Sequence, residues 1–164
     1  FGRGEDSLEK LIGDVLRKEK LTLSTAESCT GGYLAHRITT VPGSSDYFTG
    51  SVIAYDNEIK TSYLNIDPEL LETHGAVSAE VVAAMAKGIK KQFGSDFAIA
   101  TSGIAGPTGA TEDKPLGTVW IAIEGPDVSF SKKFQLGTER FGVIQGTSNY
   151  CFHLLYKILS KKQV

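Results

Sequence analysis

The chain has 164 residues, 41% hydrophobic and 22% charged, with a net charge of −2, which suits one folded domain with one core and leaves no room for a second. Its lysines are scattered apart from the pairs at Lys90-Lys91, Lys132-Lys133 and Lys161-Lys162, so no broad basic face and no nucleic-acid partner is expected. No apolar run approaches the roughly 20 residues of a membrane helix, and the amino end carries no charged-then-apolar leader, so no membrane partner is expected either.

Leu8, Leu11, Ile12, Val15 and Leu16 recur at helical spacing, which predicts an amphipathic helix over residues 7–19 with Asp6 and Glu9 as a capping box. Residues 21–25 alternate and are rich in β-formers, predicting a strand; Gly31-Gly32 then interrupts before Leu34, Ala35 and Ile38 resume a helical period. Residues 41–45 form a turn cluster, 49–55 a second strand and 58–64 a short helix. Asp67-Pro68 starts another short helix that His74-Gly75 ends, and Ser78 caps a longer one through Phe93, with Val82, Met85, Ala86 and Ile89 on one face. Residues 97–100 are too short an apolar run for a helix and predict a buried strand leading to Gly103. A polar, glycine-rich loop follows to Gly117. Residues 118–124 and 128–136 flank Gly125-Pro126-Asp127 as a hairpin, and Thr138 is expected to cap a last helix carrying Val143, Thr147, Tyr150, Leu154, Leu155 and Ile158. Helices alternating with strands, then a late hairpin, predict an α/β fold of three layers, a mixed central sheet flanked by helices on both faces.

Cys29 and Cys151 are far apart and form no CxxC pattern, so neither a disulfide framework nor a zinc site is indicated, which fits a reducing cytoplasm. His36, His74 and His153 share no metal-ligand spacing with one another or with nearby acids and read as structural. GxSxG, the Walker A loop, GxGxxG and HExxH are all absent. SxxK occurs at Ser7–Lys10 and Ser129–Lys132, the first at a helix start and the second in a strand, where residues three apart face opposite sides.

Three segments carry possible chemistry. In residues 26–32 a strand ends, small residues turn the chain and a helix begins. Ser28 there would sit near unpaired helix amides and the positive end of the dipole, which stabilise an alkoxide or a tetrahedral oxyanion. The alternative role for such a serine is plain helix capping. Cys29 is the rival nucleophile; its alternative is a small buried hydrophobe. In residues 55–60, polar groups gather where a strand opens into a helix. With no histidine near these motifs, Lys60 is the plausible base for a serine, as in Ser-Lys variants of the triad. A free lysine titrates near 10.4, so acting near neutrality would require burial to lower that by about 3, roughly 4 kcal/mol; otherwise Lys60 is a solvated surface residue. In residues 101–109, glycines allow close approach of backbone amides and hydroxyls add donors, so this loop either holds a phosphate or ribose or is merely structural. Arg140 would suit a phosphate, since a guanidinium binds oxyanions bidentately. Ser44, Ser45 and Ser51 read as turn or strand residues, with Ser45 reaching a ligand if its loop borders the pocket.

AESCTGG at 26–32, PGSS at 42–45, Tyr55 with Asn57 and Lys60, HGAVS at 74–78, SGIAGP at 102–107 and KPLGTVW at 114–120 occur together and in order. The combination resembles the CinA carboxy-terminal domain family from about residue 8 to the end. The resemblance implies a cofactor-free, metal-free amidohydrolase that converts nicotinamide mononucleotide and water to nicotinic acid mononucleotide and ammonia, in a homo-oligomer, most often a dimer. It makes Ser28 the nucleophile, Lys60 the base and Tyr55 a neighbouring hydroxyl. The expected substrate-binding set is Thr30, Gly31 and Gly32 as oxyanion amides, with Ser45, Asn57, Ser102, Gly103, Ala105, Gly106 and Arg140. Many relatives have threonine where this chain has Ser102, and a second basic residue where it has Ile144. The opening nine residues, which begin with Phe rather than Met, resemble the junction after a molybdopterin-cofactor-like domain, so residues 1–7 are expected to be a linker remnant of a longer protein. Two rival readings are a nucleotide-binding or assembly module with little turnover, and an amidase or esterase for another substrate.

Overall fold

A computed structural model describes residues 6–161. The expected linker at 1–7 therefore lies, for its first five residues, outside the described residues. Five strands form one mixed sheet in the order β2-β1-β3-β4-β5: β1 Leu23–Glu27, β2 Phe48–Ile53, β3 Phe97–Gly103, β4 Thr118–Glu124 and β5 Ser129–Gln135. β1 runs parallel to both β2 and β3, pairing Leu23 with Phe97 and Glu27 with Thr101, whereas β3, β4 and β5 are antiparallel. Helices cover both faces, so the three-layer mixed α/β architecture expected from the sequence is the one present.

Alternation along the strands sorts large residues to one face and small ones to the other. Leu23, Phe97, Ile99, Val119, Ile121 and Ile123 pack with Ile12 and Leu16 of α1 (Leu8–Glu19), Leu34 and Ile38 of α2 (Tyr33–Thr39) and Val143, Phe152 and Leu155 of α6 (Arg140–Lys161). The opposite face presents Ala26, Ala98, Ala100 and Ala122 to Val82, Met85, Ala86 and Ile89 of α5 (Ala79–Phe93). That alanine floor lets α5 lie close to the sheet, and α3 (Asn57–Leu64) and α4 (Pro68–His74) fill in beside it.

Several boundaries move for identifiable reasons. Ser7, not Asp6, caps α1 by accepting from the Lys10 amide, while Asp6 pairs with the Lys10 ammonium. β1 continues two residues beyond the expected 21–25 because Ala26 and Glu27 still pair with β2 and β3. The start of α6 is capped by Glu139, whose carboxylate accepts from the amides of Phe141 and Gly142, rather than by Thr138. Asp67 and Ser78 cap α4 and α5 as the sequence predicts.

Candidate active site

The loops that leave β1 and β3 stand side by side, and α3 starts next to them. In the order β2-β1-β3-β4, the chain leaving β1 turns towards β2 and the chain leaving β3 turns towards β4, which opens a crevice at the carboxyl ends of β1 and β3. A cavity of about 280 Å³ occupies this place, at the small end of the range for small-molecule sites.

Ser28 follows the last residue of β1 and lines the cavity. Its amide donates to the Thr101 carbonyl at 3.0 Å, which extends the parallel ladder one residue past the strand. The chain then turns through Gly31 and Gly32 at φ 57° and 96°, a left-handed pair that favours glycine. Gly32 is the N-cap of α2 and has no side chain to cap it. Glu27 supplies the missing acceptor from the end of β1. Its carboxylate, 0% exposed, accepts from the Thr30 hydroxyl at 2.6 Å, the Gly32 and Leu34 amides at 3.0 Å each and the Ala35 amide at 2.7 Å.

Lys60 lies in the first half of α3, whose start is capped by the Asp56 carboxylate accepting from the Glu58 amide at 2.7 Å. Only 1% of the Lys60 side chain's residue surface meets solvent, and Nζ donates to the Tyr55 carbonyl at 3.1 Å. Burial lowers its pKa below the ordinary 10.5, against the opposing pull of the Asp56 carboxylate and of Cys29. Lys60 lines the same cavity as Ser28, and no surface site for it remains. Cys29 also lines the cavity, but burial pushes its thiol up to about 12, so it stays protonated near neutrality and is a poor nucleophile.

The rim brings together Tyr55, Asn57, Ser102, Gly103, Ala105, Gly106 and Arg140. Arg140, the first residue of α6, donates through Nη2 to the Tyr55 hydroxyl at 3.1 Å and through Nη1 to the Gly106 carbonyl at 2.5 Å. A guanidinium has five N–H donors, so others remain for an anion. The Ser102 hydroxyl donates to the Ala76 carbonyl at 2.7 Å, fastening the 74–78 segment to β3. Ala76, Val77, Ile104, Thr108 and Gly109 complete the lining. Ala76, Val77 and Ile104 were marked only by membership in the HGAVS and SGIAGP segments, and Thr108 and Gly109 only as part of the 101–109 loop.

Four expected residues stand apart from the cavity lining. Thr30 is buried and its hydroxyl is taken by Glu27 and Thr101. The Gly31 amide donates to the Ser28 carbonyl and that of Gly32 to Glu27, so neither serves an oxyanion. Among the described residues, no backbone or side-chain oxygen accepts from the amides of Cys29 and Thr30. Ser45 is exposed in the one-turn 3-10 helix Ser44–Asp46, ahead of the first residue of β2 and so at the other end of the sheet from the cavity. Ile144 packs against the core, away from the cavity lining. Glu27 is the functional candidate that sequence reasoning missed: it stood inside the AESCTGG segment, but an acid at a strand end gives no hint that four donors will converge on it.

A larger groove of about 430 Å³ runs between β5 and the end of α6. Its walls are mainly Val128, Phe130, Leu154 and Ile158, with no nucleophile among them. Among the described residues no group of three His, Cys, Asp or Glu is arranged to hold a metal ion, and no helix is long and apolar enough to cross a membrane.

The profile of the family described as CinA C-terminal domain matches residues 5–159. A CinA-like protein of Cytophaga hutchinsonii is 45% identical over 98% of this chain and 38% of its own length. A putative competence-damage inducible protein of Moorella thermoacetica is 52% identical over 76% of the chain and 30% of its own length. The chain thus spans well under half of these curated relatives. Among solved structures, the competence/damage inducible protein of Agrobacterium tumefaciens superposes with a TM-score of 0.88 at 30% identity, covering 98% of this chain and 99% of that one. The CinA superfamily protein of Klebsiella pneumoniae 700603 gives 0.88 at 30%, covering 95% and 99%. With the matched profile, the relatives and the solved folds in agreement, the chain belongs to the CinA C-terminal domain family.

Proposed function

We propose that this chain is a one-domain amidohydrolase that deamidates nicotinamide mononucleotide, releasing nicotinic acid mononucleotide and ammonia, with Ser28 as nucleophile and Lys60 as general base. The observation that supports this reading is a serine at a strand-to-helix turn sharing one cavity with a lysine whose burial favours the neutral amine. Lys60 takes the Ser28 proton as Oγ attacks the carboxamide carbon, whose carbonyl is activated by the electron-withdrawing pyridinium. The amide of Cys29, a residue of the cavity wall, holds the oxyanion. Lys60 returns the proton to the departing nitrogen, ammonia leaves, and water, deprotonated in turn by Lys60, releases the acid and restores the serine. Arg140, braced by the Tyr55 hydroxyl and the Gly106 carbonyl, receives the phosphate. The reading requires neither metal nor organic cofactor, and it includes a cytoplasmic setting and a homodimer, the latter decided by sedimentation velocity.

Ser28→Ala is expected to reduce ammonia release from nicotinamide mononucleotide by at least about 10³-fold while leaving the circular dichroism and melting temperature unchanged. A variant that still releases ammonia at a near-normal rate removes Ser28 from the reaction. Calorimetric binding of the nucleotide to wild-type protein that releases no ammonia would instead favour a binding module.

A further inference from the structure

We infer that Glu27 is a positioning residue for the nucleophile turn, holding residues 28–35 so that the amide of Cys29 is fixed as the oxyanion donor. The inference rests on the Ser28 reading above.

A carboxylate with no exposure is costly to bury unless its oxygens are satisfied, and among the described residues no cation pairs with Glu27. Its four donors span residues 30 to 35 and so lie on both sides of Gly31-Gly32. Two consecutive glycines give this turn the greatest backbone freedom of any pair, and the carboxylate removes it by tying the turn to the first turn of α2. A second tie runs to β3. Because the single Thr30 proton goes to Glu27, the Thr101 hydroxyl must donate to Thr30, at 2.8 Å, giving a directed relay from Thr101 through Thr30 to the carboxylate. The Ser28 amide is already bound to the Thr101 carbonyl. Every amide from Ser28 to Leu34 other than those of Cys29 and Thr30 is thereby committed to a protein acceptor. Of the two left over, that of Cys29 immediately follows the nucleophile and belongs to a residue that lines the cavity. An oxyanion site works by being rigid before the charge develops, and Glu27 is the group that confers this rigidity. A glutamine could not do the same. It offers one acceptor oxygen where the chain uses two, and its NH2 would face an amide or hydroxyl that is itself donating.

The test uses Glu27→Gln, Thr30→Val and Thr30→Ser, each assayed for kcat and KM with nicotinamide mononucleotide. It adds inhibition by N-methylpyridinium-3-boronic acid, which forms a tetrahedral adduct on a serine oxygen, and calorimetric binding of the product nicotinic acid mononucleotide. Glu27→Gln and Thr30→Val are expected to lower kcat about 100-fold and weaken the boronate comparably, with KM and product affinity changed less than about 3-fold, while Thr30→Ser restores both. Boronate and product affinities falling together, or neither falling, overturns the inference. If Glu27→Gln does not fold, the Thr30 pair decides: a Thr30→Val protein with wild-type kcat is equally fatal. Activity that survives Ser28→Ala overturns the reading of the site itself. Activity that needs Ser28 but ignores Glu27 and Thr30 overturns only the positioning role.

Discussion

At the scale of single residues, the buried lysine is the point at which fold and chemistry conflict. Lys60 is held out of water with one protein hydrogen bond, to the Tyr55 carbonyl, and burial disfavours its ammonium form. The folded state therefore binds that proton less tightly than the unfolded chain. Across the interval between the lowered folded value and the unfolded value near 10.4, stability contributed at this site rises with pH, and below the interval the full penalty persists. In the proposed mechanism the same shift supplies the base. We expect kcat to rise with pH through an apparent pKa below 10.5, and Lys60→Met to lose that limb together with about 10²-fold or more of the rate. Steady-state ammonia release from pH 6 to 10 checks both; an unchanged profile in the methionine variant would move the base elsewhere. The neighbouring thiol obeys the same rule with the opposite sign: the burial that favours the neutral lysine amine also keeps Cys29 protonated and neutral.

At the scale of elements, the site depends on helices far from the substrate. Lys60 belongs to α3, and α3 is pressed against α5 where Gly88 passes the last turn: a Cβ on Gly88 would stand 2.3 Å from the Leu64 carbonyl oxygen. Gly88→Ala must push the two helices apart. We expect a loss of about 2 kcal/mol in urea denaturation and reduced kcat through displaced Lys60; unchanged stability would mean that the helices separate freely. Most elements were legible because their signals are local: periodicity gave α1 and α5, and Asp67-Pro68 and Ser78 marked starts that the structure uses. Failures occurred where a tertiary partner replaced the local signal. β1 ends on an acid because α2's amides receive it, and α6 begins on Glu139 rather than Thr138. Residue type and placement made Ser28, Lys60 and Arg140 candidates beside structural alternatives, whereas Tyr55 and Ser102 were pointed to only by the family resemblance. The amides of Gly31 and Gly32, expected to face an oxyanion, are already taken by the Ser28 carbonyl and by Glu27, which only the folded turn shows.

At the scale of the whole molecule, strand order decides where chemistry can occur. Alternating helices and strands predicted a mixed sheet, but nothing in the sequence said that β1 would sit between β2 and β3, and it is this order that brings residues 28 and 103–109 to one crevice while leaving Ser45 at the far end. The bond from the Ser28 amide to the Thr101 carbonyl has a further meaning at this scale. It makes Ser28, the proposed nucleophile, the last rung of the central parallel ladder rather than a passenger on a mobile loop. Heating should then offer no interval in which the protein is intact but inert. Residual turnover and far-UV ellipticity, followed on one sample, should fall along a single sigmoid, and catalysis becomes a thermometer for the integrity of its own β-sheet.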